Sequence, residues 1–67
     1  MLFTMIQTVT LAKASVQVAY IDEQSRDRLV ATLIAVLGGT VRFGKPEVFD
    51  SCSADMIASK GGAVLVL

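Results

Sequence analysis

The obvious nucleophile candidate in this 67-residue chain is Cys52, its only cysteine. The thiol lies in Asp50-Ser51-Cys52-Ser53-Ala54-Asp55, just where a helix is predicted to begin, and the positive end of a helix dipole lowers a thiol pKa. Two flanking carboxylates oppose that shift. Cysteine catalysis also needs a general base, commonly histidine, and the chain has none. The simpler expectation is a buried structural cysteine, since cysteine is among the most buried residue types. One thiol cannot form an internal disulfide, so a disulfide-stabilised secreted scaffold is excluded. One thiol without imidazoles also falls short of the sulfur and nitrogen donors of a structural zinc site.

The remaining candidates are carboxylates, glycines and cations. Glu47, Asp50 and Asp55 fall within one loop and helix start, and such a set could bind a hard cation or transfer protons. Their spacing does not match an EF-hand, and helix capping with loop solvation explains Asp50 and Asp55 more simply. Gly38-Gly39 and Gly61-Gly62 both follow predicted helices, so carbonyls rather than amides would meet a ligand, and neither pair fits a phosphate loop. Arg26, Arg28, Arg42 and Lys45 could gather beside Phe43 and Tyr20 as a nucleic-acid surface. Six basic residues balance six acidic ones, however, and a neutral chain lacks the long-range field that draws in nucleic acid. The expectation is a protein that is not an enzyme, with no catalytic centre, metal or cofactor.

Those residues must be positioned by a small framework. The length allows one domain, residues 1–67, and a core this small usually needs a disulfide, a metal or oligomerisation to offset conformational entropy. With the first two missing, association becomes the expected stabiliser. Composition agrees, because 54% of residues are hydrophobic and only 18% charged, against roughly 25% charged in an average soluble domain. Zero net charge removes the repulsion that keeps copies apart. The central apolar run from Leu29 to Leu37 is far shorter than the roughly 20 residues of a membrane-spanning helix. Ala12-Lys13-Ala14 has the form of a signal-peptide cleavage site. No basic residue opens the preceding segment, though, and Gln7 and three threonines interrupt it. The expected location is the cell interior or an assembled particle.

Residues 2 to 21 read as two strands. Phe3, Met5, Val9 and Leu11 share one face of the first, and Thr4, Thr8 and Thr10 the other, with Ile6 and Gln7 each breaking the alternation. On the second, Val16, Val18 and Tyr20 oppose Ser15, Gln17 and Ala19. A two-residue turn at Lys13-Ala14 would set Leu11 opposite Val16 and Val9 opposite Val18. That turn lacks the favoured glycine or asparagine, and a four-residue loop of the same parity is the alternative.

A helix is predicted from about Glu23 to Leu37, capped by Asp22 and stopped at Gly38-Gly39. Asp22 and Arg26, and Glu23 and Asp27, lie at helical neighbour spacing. Around the helix, Val36, Leu29, Leu33, Leu37, Val30 and Ile34 form an apolar arc of about 160°. The opposite side carries Ala31, Thr32 and Ala35, which either raise helix propensity or let another backbone approach. Thr40 to Phe43 reads as a third strand ended by Gly44-Lys45-Pro46, followed by a turn or short edge strand at Glu47-Val48-Phe49. A short helix from about Ser53 to Lys60 follows, with Ser51 or Ser53 as N-cap and Met56 and Ile57 as anchors. Ala63 to Leu67, apolar on both faces, reads as a central strand.

The expected fold is a small α+β domain of order β-β-α-β-α-β, with a sheet of about four strands and its helices on one face. The other face would present Thr4, Thr8, Thr10, Gln17, Thr40 and Arg42. The expected function is that of a non-catalytic structural or assembly subunit acting through protein-protein contacts, as a homo-oligomer or as part of a larger particle such as a virion. A small protein-binding regulator or inhibitor is the alternative, and a nucleic-acid-binding module ranks below both. The interface residues singled out are Ala31, Thr32 and Ala35 on the helix, and Thr8, Thr10 and Arg42 on the sheet.

Overall fold

Two six-residue strands, β1 (Met5–Thr10) and β2 (Ser15–Tyr20), pair antiparallel at the centre of the computed structural model, which describes residues 4–49 and 54–66. Val9 faces Val16 and Met5 faces Tyr20, so the register follows the four-residue loop rather than the two-residue turn. Leu11 N–H donates to the Ala14 carbonyl at 2.7 Å to close that loop. The reason is backbone sterics: tight hairpin turns of types I′ and II′ require positive φ, and no residue other than glycine adopts it among the described residues. Lengthening the loop by two residues preserves parity, so Val9, Val18 and Tyr20 still share the buried face.

The helix α1 (Glu23–Leu37) follows directly. Asp22 sits in extended conformation and accepts the Ser25 backbone N–H at 2.7 Å, while Gly38 N–H donates to the Ile34 carbonyl at 2.7 Å. Gly38 has φ 74° and ψ 178°, a glycine conformation more extended than the left-handed stop predicted. Val30 joins Val9, Val18, Tyr20 and Ala63 in the core, with Leu29, Ile34, Met5, Val16 and Val41 packed around them. The predicted apolar arc is wider than the sheet beneath it: Val36, at its margin, is 76% exposed. Leu37, in the last position of the helix, is exposed as well.

Two short strands, β3 (Arg42–Phe43) and β4 (Glu47–Val48), lie end to end along the free side of β1. Between them Gly44 N–H donates to the Thr8 carbonyl, and beyond β4 Phe49 N–H donates to that of Thr4. Pro46 lies in the interruption, where its missing N–H costs no ladder bond. The segment predicted as a turn or short edge strand is thus an edge strand, and the sheet has five strands.

After α2 (Ala54–Ser59), the last strand β5 (Ala63–Val66) pairs antiparallel with β2, giving the order β3-β1-β2-β5 with β4 also paired to β1. The central position predicted for this strand is corrected here, because β3 and β4 already occupy the other side of β1 and β2 offers only its outer side. Of the two predicted α2 anchors, Ile57 is buried and Met56 is exposed. Gly62 ties three elements together: its N–H donates to the Ile57 carbonyl and its carbonyl accepts the Ile21 N–H. A Cβ there would lie 2.9 Å from Ser25 Cβ, at φ +89°, so only glycine fits without rearrangement. Phe3, Cys52, the proposed caps Ser51 and Ser53, and Leu67 lie outside the described residues.

The second sheet face differs in part from expectation. Thr8, Thr10, Gln17, Thr40 and Arg42 are exposed, but Thr4 is buried and Ala19, on the same face by alternation, is fully buried. This face is therefore closed at its Thr4 end and open at its Thr10 end.

Candidate interaction surfaces

All six residues singled out for contact are exposed, and the fold divides them between two sides of the molecule. Ala31, Thr32 and Ala35 lie on the outer side of α1, where the Thr32 hydroxyl donates back to the Arg28 carbonyl at 3.2 Å. Val36 extends this uncharged patch. Thr8, Thr10 and Arg42 lie on the sheet face turned away from Val9 and Val18, because Thr10 faces both Ser15 and Arg42. The Ser15 hydroxyl donates to that of Thr10 at 3.3 Å. Beside them, Ile6, Thr8, Gln17, Lys45 and Glu47 help line a depression of about 240 Å³.

The residues proposed for chemistry do not assemble a site. Glu47 and Asp55 are exposed on β4 and α2, while Asp50 and Cys52 lie outside the described residues. Among the described residues, no three acidic, cysteine or histidine side chains gather as metal ligands. Among the described residues, no helix is long and apolar enough to cross a membrane.

The basic residues expected to form a patch separate. Arg26 turns inward, its guanidinium 4.6 Å from the centre of the Phe43 ring and 5.4 Å from that of Tyr20. Its side chain is only 14% exposed. Arg26 Nη1 donates to Gln7 Oε1 at 2.9 Å, and Nη2 donates to Asp27 Oδ1 at 2.9 Å. Although Asp22 and Arg26 lie at helical neighbour spacing, Arg26 pairs with Asp27 and the Asp22 carboxylate accepts the Ser25 N–H. Arg28 Nη2 reaches the Ser25 hydroxyl at 3.3 Å, and Arg42 lies on the far sheet face. Two cations and both aromatic rings are thus engaged within the chain.

Gln7 was visible in the sequence only as a break in an apolar pattern. It is 5% exposed, and its side-chain amide donates to the Gly44 carbonyl. Its Oε1 accepts Arg26 at 2.9 Å and, more weakly, the Tyr20 hydroxyl at 3.4 Å. A polar side chain on an otherwise apolar strand face, with an arginine near a helix start, was the available signal; only the fold shows that they meet. Because the partners come from β1, β2, α1 and the start of the edge interruption, this cluster fastens elements together rather than presenting groups to a ligand.

Large apolar side chains remain at the surface instead: Val36, Leu37, Phe43, Val48 and Leu65 are each more than a third exposed. A second depression, of about 170 Å³, runs between α2 and β5. Comparison of the chain with protein-family models, curated proteins and solved structures finds no match, so a functional reading has to come from these surfaces.

Proposed function

We propose that this protein is a non-catalytic assembly subunit that works through protein-protein contacts, forming a homo-oligomer or one part of a larger particle. The observation that supports this is the exposure of large apolar side chains, with Val36 at 76% and Val48 at 63%, on a chain with zero formal net charge. Burying such surface yields about 25 cal/mol per Å², while no net charge opposes the approach of copies. Val36 borders Ala31, Thr32 and Ala35, whose short side chains let a neighbouring backbone come close. The interior of a cell or an assembled particle is the setting this reading proposes, since the chain holds one cysteine and so no internal disulfide.

The test is the solution mass of the purified chain by light scattering across a wide concentration range, for the wild type and Ala35→Arg. An oligomer in the wild type, shifted towards smaller species by Ala35→Arg with an unchanged circular dichroism spectrum, is the expected result. A wild type that stays monomeric at high concentration and recovers no companion protein in a pull-down contradicts the proposal. An oligomer indifferent to Ala35→Arg removes the α1 surface from it.

A further inference from the structure

We infer that β5 is the self-association edge, and that a second copy of this chain adds its own β5 antiparallel across a two-fold axis. This inference rests on the assembly reading above and adds a second contact, separate from the outer side of α1.

The backbone directions come from the ladder. Ile21 N–H donates to the Gly62 carbonyl at 3.0 Å, and the register continues through Ala19 opposite Val64 and Gln17 opposite Val66. Hydrogen-bonded and non-hydrogen-bonded pairs alternate along an antiparallel ladder. Val64 and Val66 therefore turn their peptide groups towards β2, while Ala63 and Leu65 turn theirs outward. A row of this kind is satisfied by an extended strand.

The two edges of the sheet are unequal. The β3-β4 edge is interrupted by Gly44, Lys45 and Pro46, and exposes Lys45 and Glu47, which are devices that discourage strand addition. Within Ala63–Val66 there is no charge and no proline. An edge that is open beside one that is blocked cannot propagate head to tail, so strand addition closes as a two-fold pair.

Side chains at β5 suit the same occupant. Setting Val64 opposite Val64 of the second copy pairs Ala63 with Leu65 on each side of the axis, so the outward groups of both residues are used. The two valines then stand on one sheet face, beside the depression that Met56, Ile57, Lys60, Val64, Leu65 and Val66 line. Lys60, the only charged residue lining it among the described residues, lies towards opposite ends of the pair in the two copies, so like charges are not brought together. Leu65, 37% exposed, gains cover on the other face.

Amide hydrogen exchange, read together with solution mass, tests the pairing directly on the full chain. The Leu65 N–H points away from β2 and has no bond among the described residues of one copy, so its protection should appear at concentrations where two chains associate and vanish on dilution. Leu65→Pro removes that outward N–H without deleting a bond to β2, and should shift the mass towards smaller species. Leu65→Lys, which keeps the backbone, should weaken association at least tenfold, providing a second variant should the proline disturb folding. A wild-type oligomer whose Leu65 amide exchanges freely, and which both variants leave intact, overturns the edge assignment while the assembly reading stands. A monomer at every concentration overturns the edge pairing, and capture of a different protein on β5 would assign the edge to that protein instead.

Discussion

At the scale of single residues, the arrangement that matters most is the one around Arg26. A guanidinium can stack on two rings and still direct a planar fork at an amide oxygen, which an ammonium cannot do. Removing it by Arg26→Ala would leave Gln7 Oε1 with only the long Tyr20 contact at 3.4 Å, inside a side chain that is 5% exposed. The expected loss is about 1–3 kcal/mol of unfolding free energy, measurable by urea titration. Arg26→Lys should recover less than half of it. Full recovery by lysine would show that charge alone, and not the stacked fork, holds the cluster. None of this was legible from spacing, because Gln7 and Arg26 are 19 residues apart and meet only once the helix crosses the hairpin.

Elements carry the pH dependence. The Asp22 carboxyl is held below its ordinary value of 3.8, chiefly because it accepts the Ser25 backbone N–H, with the Ser25 hydroxyl and the Arg28 charge acting in the same direction. Its folded pKa is thus lower than its unfolded one. The cap therefore contributes fully above the unfolded value and is lost as pH falls through the lower, folded value. Urea midpoints measured downward from about pH 5 should decline through this window. Asp22→Asn, which still caps but does not titrate there, should decline less steeply; identical slopes would relieve Asp22 of the role. The helix itself was readable because capping residue, apolar period and glycine stop all agree. The hairpin was readable in parity but not in loop length, since Lys13-Ala14 rejects a tight turn without stating which longer loop replaces it.

For the whole molecule, the governing fact is a narrow sheet. Two-residue strands at one edge and a four-residue strand at the other cannot cover the full apolar arc of a 15-residue helix. Apolar side chains consequently stay outside. If copies associate to cover them, thermal stability becomes concentration-dependent, because association favours the folded form by mass action. Raising the chain concentration a hundredfold should lift the thermal midpoint by roughly 5–10 °C for a domain of this size. A midpoint that does not move with concentration would identify a self-sufficient monomer.

The sequence by itself determined the α+β class, the α1 boundaries and the inward faces of β1 and β2, because these follow from local periodicity, caps and turn sterics. Only the tertiary structure decided that β5 is an edge, that Thr4 and Ala19 are covered while Val36 is not, and that Gln7 holds Arg26. Those outcomes depend on which side of which strand is already taken. Strand order and burial belong to the packed arrangement, and an apolar run such as Ala63–Val66 reads the same whether one neighbour or two will pair with it.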